Sequence, residues 1–173
     1  MTTAETHSTS EYSALLRADF ASFAQQCFRE LNPRSQLALS WYQDILAAKL
    51  EAVRTGRSRR VIINLPPRHL KSHLAVCFPA WCLGHDPGAR LLCVSYAQDL
   101  ADKLSRDCRQ IVASTWYRQV FATRLSAQRQ AMSEFETTAQ GLPARDLGRR
   151  GADRTRTRNL TPAFLGLSRP REG

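Results

Sequence analysis

The sequence predicts an α/β fold in which a parallel sheet with flanking helices follows N-terminal helices and precedes a disordered basic tail. Three observations lead to this prediction. Apolar residues recur at three- and four-residue steps in several segments, two short apolar runs lie between such segments, and the composition changes near Gly141. The 173 residues are enough for one ordinary domain and too few for two.

Two helical patterns make up the N-terminal region, residues 1–56. The first covers residues 8–31 and begins with a Ser and a Glu at capping-box spacing. The second covers residues 41–53 and stops at Gly56. Both patterns place apolar residues on one face, so they predict amphipathic helices.

Two apolar runs within residues 57–140 predict strands. The first is Val61–Leu65, and the second, Leu91–Tyr96, begins with the apolar run Leu91–Val94. Both are short and largely apolar, which is typical of strands buried on both faces of a parallel sheet. Helical patterns over residues 71–83 and 100–112 follow them. The order strand, helix, strand, helix predicts a right-handed crossover unit.

The last 33 residues, 141–173, differ in composition from the rest of the chain. They carry half of the net charge of +10, with eight Arg against three acidic residues, and half of the Gly and Pro residues. Neither helical nor strand periodicity continues there. An excess of Arg, Gly and Pro is what a GC-rich gene yields when it is read out of frame, so we interpret this segment as a frameshifted, disordered tail.

The cysteines and the apolar runs bear on cellular location. The chain has no run long enough to cross a membrane and no signal-peptide pattern at its start, which predicts a cytoplasmic protein without a membrane partner. The five cysteines lie in periodic apolar segments and show no C-x-x-C spacing. We interpret them as buried thiols: Cys27, Cys77, Cys82, Cys93 and Cys108.

The stretch Leu65–Ser72, LPPRHLKS, lies between a predicted strand and a predicted helix, where a phosphate-binding loop belongs. In such a loop, amides at the helix N-terminus converge on an anion, a Lys neutralises phosphate, and a hydroxyl ligates Mg²⁺. Lys71 and Ser72 match the last two positions of G-x-x-x-x-G-K-[ST], whereas Leu65 and Leu70 stand in place of the glycines. A polar turn that caps a helix is the alternative.

Three more side chains suggest chemistry. Arg68 has the position of an arginine finger supplied in cis, with a solvated loop arginine as the alternative. Gln43 is either an adenine-reading amide or a solvent-facing helix residue. His69 and His73 have the spacing of a metal pair, but no third ligand is close in sequence, so we do not expect a metal there.

A longer stretch resembles a known family. Val61–Ser72, VIINLPPRHLKS, followed by FPAWCLGHDPGARLLCVSYAQDLADKLSRDCRQIV and WYRQVF, resembles the N-terminal ATPase region of the large terminase subunit of tailed phages and prophages. The resemblance covers about residues 18–140 and implies a partial P-loop NTPase domain over residues 57–140. It implies ATP and Mg²⁺ as cofactors, Gln43 as the adenine contact, Arg68 as the catalytic loop arginine, and the Ser72 hydroxyl as the Mg²⁺ ligand. The nucleotide-binding loop that it implies consists of Pro66, Pro67, Arg68, His69, Leu70, Lys71 and Ser72.

The resemblance also implies a function and its partners. Large terminase subunits are ATP-driven motors with a nuclease, which package double-stranded DNA into capsids in the bacterial host cell, docked on the portal with the small terminase subunit. This sequence has no match to the family's acidic Walker B strand or to its nuclease carboxylates. Phosphoryl transfer depends on such positioned groups, so we expect a truncated and inactive chain.

Two other functions are compatible with the sequence. One is a non-enzymatic module, in which the Arg-rich segment Arg145–Arg171 binds nucleic acid or the N-terminal helices dock a packaging partner. The other is a different P-loop enzyme, such as a helicase-like ATPase.

Overall fold

A computed structural model describes residues 3–38, 40–66, 68–89, 91, 93–95, 97–130, 135–138 and 165–167 of the chain. Helices dominate this part of the protein. The helices are α1 (Thr3–Ala18), α2 (Phe20–Leu31), α3 (Trp41–Arg54), α4 (Lys71–His85), α5 (Gln98–Ala113) and α6 (Thr115–Val120). The strands are β1 (Cys93–Ser95), β2 (Leu125–Gln130), β3 (Phe135–Thr137) and β4 (Leu165–Leu167).

The first helical pattern forms two helices instead of the one that the periodicity predicts. Asp19 interrupts the helix with an extended backbone, φ −120° and ψ 116°. Its carboxylate accepts a hydrogen bond of 2.7 Å from the backbone N–H of Ser22, which makes Asp19 the N-cap of α2. The apolar face nevertheless continues from α1 into α2, because the core contains residues of both: Leu16, Phe20, Phe23 and Cys27.

Helix α4 lies at the centre of the structure. Every residue from Leu74 to Leu83 is buried, so this helix is covered on all sides, mainly by α2 and α5. Trp81 is fully buried, with its ring centroid 5.1 Å from that of Phe20, and its indole N–H donates to the backbone oxygen of Leu16 at 3.2 Å. The aromatic contacts and this hydrogen bond fix α4 against the junction of α1 and α2.

Side chains that follow α5 satisfy backbone oxygens in the second half of α4. The Tyr117 hydroxyl of α6 donates to the Ala80 oxygen at 2.8 Å, and the Thr123 hydroxyl donates to the Leu83 oxygen at 2.8 Å. Both side chains are buried, so each bond avoids the cost of leaving a polar group unpaired in the core.

The prediction of a parallel sheet with flanking helices, and with it the partial P-loop NTPase fold, is wrong for the described residues, which are mostly helical. Val61–Leu65 forms no strand. The segment lies along the core on one side only: Ile63 and Leu65 pack against it, whereas Ile62 is 96% exposed. A strand requires a neighbour that accepts its backbone hydrogen bonds, and in the described part of the chain no strand pairs with this segment.

The strands that do form are short. β1 lies within the second predicted strand, and its three residues pair in parallel with β4, with Val94 opposite Gly166. β2 and β3 pair separately and antiparallel. β4 lies within residues 141–173, for which the sequence predicts a disordered tail; the other residues of that segment lie outside the described part.

Three predicted helices are confirmed. The patterns over residues 41–53, 71–83 and 100–112 correspond to α3, α4 and α5. Gly56, with φ 75°, follows the C-cap of α3 in the left-handed conformation that often ends a helix. No described helix has the length and apolar character needed to cross a bilayer.

Gly84, near the end of α4, leaves no room for a side chain. A Cβ atom at this position would lie 2.7 Å from carbon atoms of the buried Phe121 ring. We expect Gly84→Ala to lower the free energy of unfolding by about 1–3 kcal/mol through overpacking, although alanine favours helix formation. Urea denaturation followed by circular dichroism measures this change.

Gly88→Ala is the matched control, since its Cβ would meet only a carboxylate oxygen of Asp86 at 3.4 Å. We also expect Phe121→Leu to relieve the penalty of Gly84→Ala. Equal stability of Gly84→Ala and the wild-type protein would contradict this account of the packing.

Candidate functional site

The candidate phosphate loop, residues 66–70, connects the extended segment 61–65 to the N-terminus of α4. It turns without glycine. Arg68 has φ 66° and Leu70 has φ 59° and ψ 17°, both in the left-handed region that side chains other than glycine seldom adopt. These two positive φ values reverse the chain sharply just before α4, which places the loop across the end of the helix.

The N-terminus of α4 carries positive charge, with no acidic residue in its own first turn; the nearest acid that borders the adjoining pocket is Asp44 of α3. The N-cap residue of α4, Leu70, offers no side-chain hydrogen bond. The N-terminal amides and the helix dipole therefore favour an anion at this end of α4. Lys71 and the exposed Arg68 add two cationic side chains close to the same end.

Lys71 and Ser72 occupy the first two positions of α4. The Lys71 ammonium donates a hydrogen bond of 2.6 Å to the backbone oxygen of Leu65, so the side chain folds back over the loop. Ser72 is exposed, and its hydroxyl is open to solvent at the helix end. The structure thus brings the cation and the hydroxyl of the predicted motif to one helix terminus.

A pocket lies beside the loop, between α2, α3 and α4. Gln43 and Asp44 of α3 line it, and so do His69 and Leu70 of the loop. The other lining residues are mostly apolar: Phe20, Ala21, Ala24, Gln25, Leu37, Ala47, His73 and Leu74. The pocket therefore combines an apolar wall with a few polar groups, a composition that is common in sites for small organic molecules.

Contacts with α3 hold the loop and the pocket together. The rings of Tyr42 and His69 lie 5.5 Å apart between centroids, which joins the start of α3 to the loop. The Gln43 amide donates through Nε2 to the backbone oxygen of Ala38 at 3.1 Å. Gln43 is thus placed next to the loop as the sequence suggested, but part of its amide orders the segment before α3.

Most of the predicted site residues are close together in the structure. Gln43, His69 and Leu70 border the pocket, whereas Arg68 and Pro66 are exposed on the outer side of the loop. Pro67 lies outside the described residues. The described part of the chain contains no group of three or more His, Cys, Asp or Glu side chains arranged to hold a metal ion.

A second group of side chains was not expected from the sequence. His73 lines the pocket together with His69, and its ring also reaches the core, where its Nε2 lies 2.9 Å from the Ala24 oxygen and 3.3 Å from Sγ of Cys77. Cys27 of α2 is buried in the same core, and its thiol and that of Cys77 each shift the pKa of the other. The only trace of this group in the sequence is the four-residue spacing of His73 and Cys77 on one helix face.

The environments of the two thiols differ. Burial raises the pKa of Cys27, and its hydrogen bond with Cys77 raises that pKa further. Burial also raises the pKa of Cys77, but hydrogen bonds from Cys27 and His73 outweigh it, so the net shift of the Cys77 pKa is downward. Burial lowers the pKa of His73, and the bond and charge of Cys77 raise it above its ordinary value.

The other three cysteines lack such a partner arrangement. Burial raises the pKa of Cys82 to about 12 and that of Cys108 still higher. The expectation that all five cysteines are buried is wrong for Cys93, which is exposed in β1.

The positive φ at Arg68 has a measurable consequence. We expect Arg68→Gly to be more stable than Arg68→Ala by about 1 kcal/mol, because alanine keeps the left-handed strain and glycine does not. Thermal and urea denaturation of both variants measure the difference. Arg60 has no positive φ, so alanine at position 60 should be at least as stable as glycine. An alanine variant at position 68 as stable as its glycine counterpart would exclude the strained loop.

Comparisons of this chain with protein-family models, with curated proteins and with solved structures found no match.

Proposed function

We propose that this chain derives from the ATPase region of a large terminase subunit, the motor that packages viral DNA, and that its loop 66–72 contacts the phosphate groups of a nucleotide. The observation that carries the proposal is the N-terminus of α4, where Lys71 and Ser72 stand in the first turn directly after a strained loop. A helix terminus with a Lys and a hydroxyl at this position suits a phosphate group.

The pocket next to the loop supports the same proposal. A nucleotide needs an anion site and, a short distance away, a partly apolar site for its base. Gln43 and the apolar residues from α2 and α3 border such a pocket beside His69 and Leu70. The pocket is on the side of the loop where α3 contacts it through Tyr42 and His69.

The proposal is limited to binding. Hydrolysis of ATP requires carboxylates that hold Mg²⁺ and orient the attacking water, and the sequence offers no acidic pair after an apolar strand. If Mg²⁺ enters with the nucleotide, the Ser72 hydroxyl is the side chain in the loop that would ligate it. The packaging partners of the family, double-stranded DNA, the portal and the small terminase subunit, are part of the proposed ancestry.

The alternative of a non-enzymatic module that binds nucleic acid or a packaging partner has less support. The described residues offer it an exposed basic run, Arg57, Arg59 and Arg60, before the extended segment. Its principal element, 145–171, lies outside the described residues apart from Leu165–Leu167. We therefore favour nucleotide binding by the loop and the pocket over this alternative.

A titration tests the phosphate site. We expect a non-hydrolysable ATP analogue with Mg²⁺ to bind with a Kd above about 100 µM, and to shift the amide resonances of residues 66–74 in NMR spectra. Lys71→Ala should weaken binding by about tenfold or more, since it removes a charge-assisted hydrogen bond. Lys49→Ala, an exposed lysine of α3, should leave binding unchanged. A submicromolar Kd, or equal binding by wild type and Lys71→Ala, would overturn the proposal.

Hydrolysis is tested separately. We expect the 173-residue chain to release no phosphate from ATP above the rate of a protein-free sample, because the sequence has no acidic pair after an apolar run to hold Mg²⁺ and orient water. A sensitive phosphate-release assay with wild type, Lys71→Ala and Lys49→Ala decides this. Turnover that only Lys71→Ala abolishes would show that the chain contains a catalytic acid which we have not identified.

A further inference from the structure

Cys27 and Cys77 bring two thiols together in the core, from helices that are far apart in sequence. Cys27 lies on α2 and Cys77 on α4, and both are 0% exposed. His73 links the two helices, since its Nε2 lies 2.9 Å from the oxygen of Ala24, one turn before Cys27, and 3.3 Å from Sγ of Cys77. Each thiol also shifts the pKa of the other. α2 and α4 are among the most closely packed helix pairs of the described chain. A bond between the two sulfurs would therefore join elements that already touch.

His73 is placed to take the proton of the Cys77 thiol. Its Nε2 lies 2.9 Å from the Ala24 oxygen, and a carbonyl oxygen only accepts hydrogen bonds, so Nε2 carries a proton in this contact. Nδ1, 3.6 Å from Sγ of Cys77, is then the ring nitrogen that accepts. Sγ of Cys77 lies beside the ring, 3.3 Å from Nε2 and 3.6 Å from Nδ1, so the unprotonated Nδ1 is within reach of the thiol.

The surroundings of the pair separate the roles of the two thiols. Cys77 is hydrogen-bonded to His73, whereas Cys27 has no basic side chain among its interactions. From α5, Cys108 and Asp107 also face the group, and neither one is a hydrogen-bond acceptor for Cys77. Thiolate character, on which nucleophilic attack by sulfur depends, is therefore concentrated at Cys77.

His73 connects the group to the pocket. It lines the pocket beside the phosphate loop, and so do Ala24 of α2 and Leu74 of α4. Its Nε2 lies 3.3 Å from Sγ of Cys77, so the ring stands next to both the pocket and the buried sulfur. Because Cys77 is fully buried, we choose hydrogen peroxide, a small oxidant, as the probe.

We propose that Cys27 and Cys77 form a peroxide-oxidisable thiol pair, in which Cys77 is attacked first and Cys27 closes a disulfide between α2 and α4. The Cys77 thiolate attacks one oxygen of hydrogen peroxide, and the O–O bond breaks. The products are a sulfenic acid at Cys77 and a hydroxide ion. The hydroxide takes up the proton held by His73 and becomes water. The Cys27 thiol then attacks the sulfenic sulfur, the S–S bond forms, and a second water leaves. Two thiols are oxidised and one peroxide is reduced.

Mass spectrometry of the whole chain tests the pair. The reduced protein is treated with hydrogen peroxide, its remaining thiols are blocked, and it is digested with trypsin without reduction. We expect a linked pair of peptides, residues 18–29 with residues 72–90, about 2 Da lighter than the sum of the two free peptides. Because the second peptide also contains Cys82, the experiment is repeated with Cys82→Ser, which should retain the link.

Matched variants separate the proposal from general cysteine oxidation. Cys77→Ser should lose the link, Cys108→Ser should retain it, and His73→Gln should form it several-fold more slowly while the final product is the same. The same treatment in urea supplies the unfolded reference, in which any pair of the five cysteines can form. The fold of Cys77→Ser is compared with that of the wild-type protein by circular dichroism. If the variant does not fold, isotope-coded alkylation of the oxidised wild-type protein shows which thiols are lost first.

Some outcomes overturn the proposal. Oxidation confined to the exposed Cys93, a link that includes Cys108 in place of Cys27, or a link that forms equally fast in urea and in the native protein would each show that the pair has no special reactivity. Unchanged kinetics in His73→Gln would remove His73 from the reaction. None of these results depends on nucleotide binding by the loop.

Discussion

Complete burial of α4 is the constraint on which the rest of the structure depends. A helix whose residues from Leu74 to Leu83 are all buried cannot present a face to water, so other elements must cover it on every side. The junction of α1 and α2 covers one side through Phe20 and Trp81, and α5 covers another. Hydroxyls from Tyr117 and Thr123 satisfy backbone oxygens that this covering removes from water. The arrangement leaves the two ends of α4 as its accessible parts, and the candidate phosphate site lies at one of them.

The same constraint explains why the two candidate sites lie close together. The first turn of α4 carries Lys71, Ser72 and the half-buried His73, and one turn after His73 the same helix carries the buried Cys77. The polar side chains of the two candidate sites therefore follow one another along α4, from its exposed end into the interior. Because α2 packs beside this part of α4, Ala24 and Cys27 meet the inner group, and the pocket lies above it.

Local periodicity was sufficient to predict helices, and it failed wherever the structure depends on distant residues. The patterns of α3, α4 and α5 are visible because the contacts of each helix repeat along its own sequence. The break at Asp19 was missed because its N-cap bond leaves the apolar spacing intact. Val61–Leu65 has the composition of a buried strand, but a strand needs a partner from elsewhere in the chain, and composition does not supply one. The loop motif located Lys71 and Ser72, whereas the contact between Cys27 and Cys77 joins residues from two separate helices and has no local signal.

The backbone oxygen of Leu65 accepts a hydrogen bond from Lys71, so it competes with any anion for the Lys71 ammonium group. In the structure the ammonium group already has an acceptor at 2.6 Å, supplied by the loop itself. The binding free energy of an anion is therefore the difference between its own bond to Lys71 and the bond to Leu65 that it displaces. Because the Leu65 oxygen belongs to the same chain, its effective concentration does not depend on the protein concentration. The backbone oxygen is neutral, so a charged phosphate would gain more from Lys71 than a neutral ligand would. The hydrogen bond between Lys71 and Leu65 would therefore favour charged ligands over neutral ones at this loop.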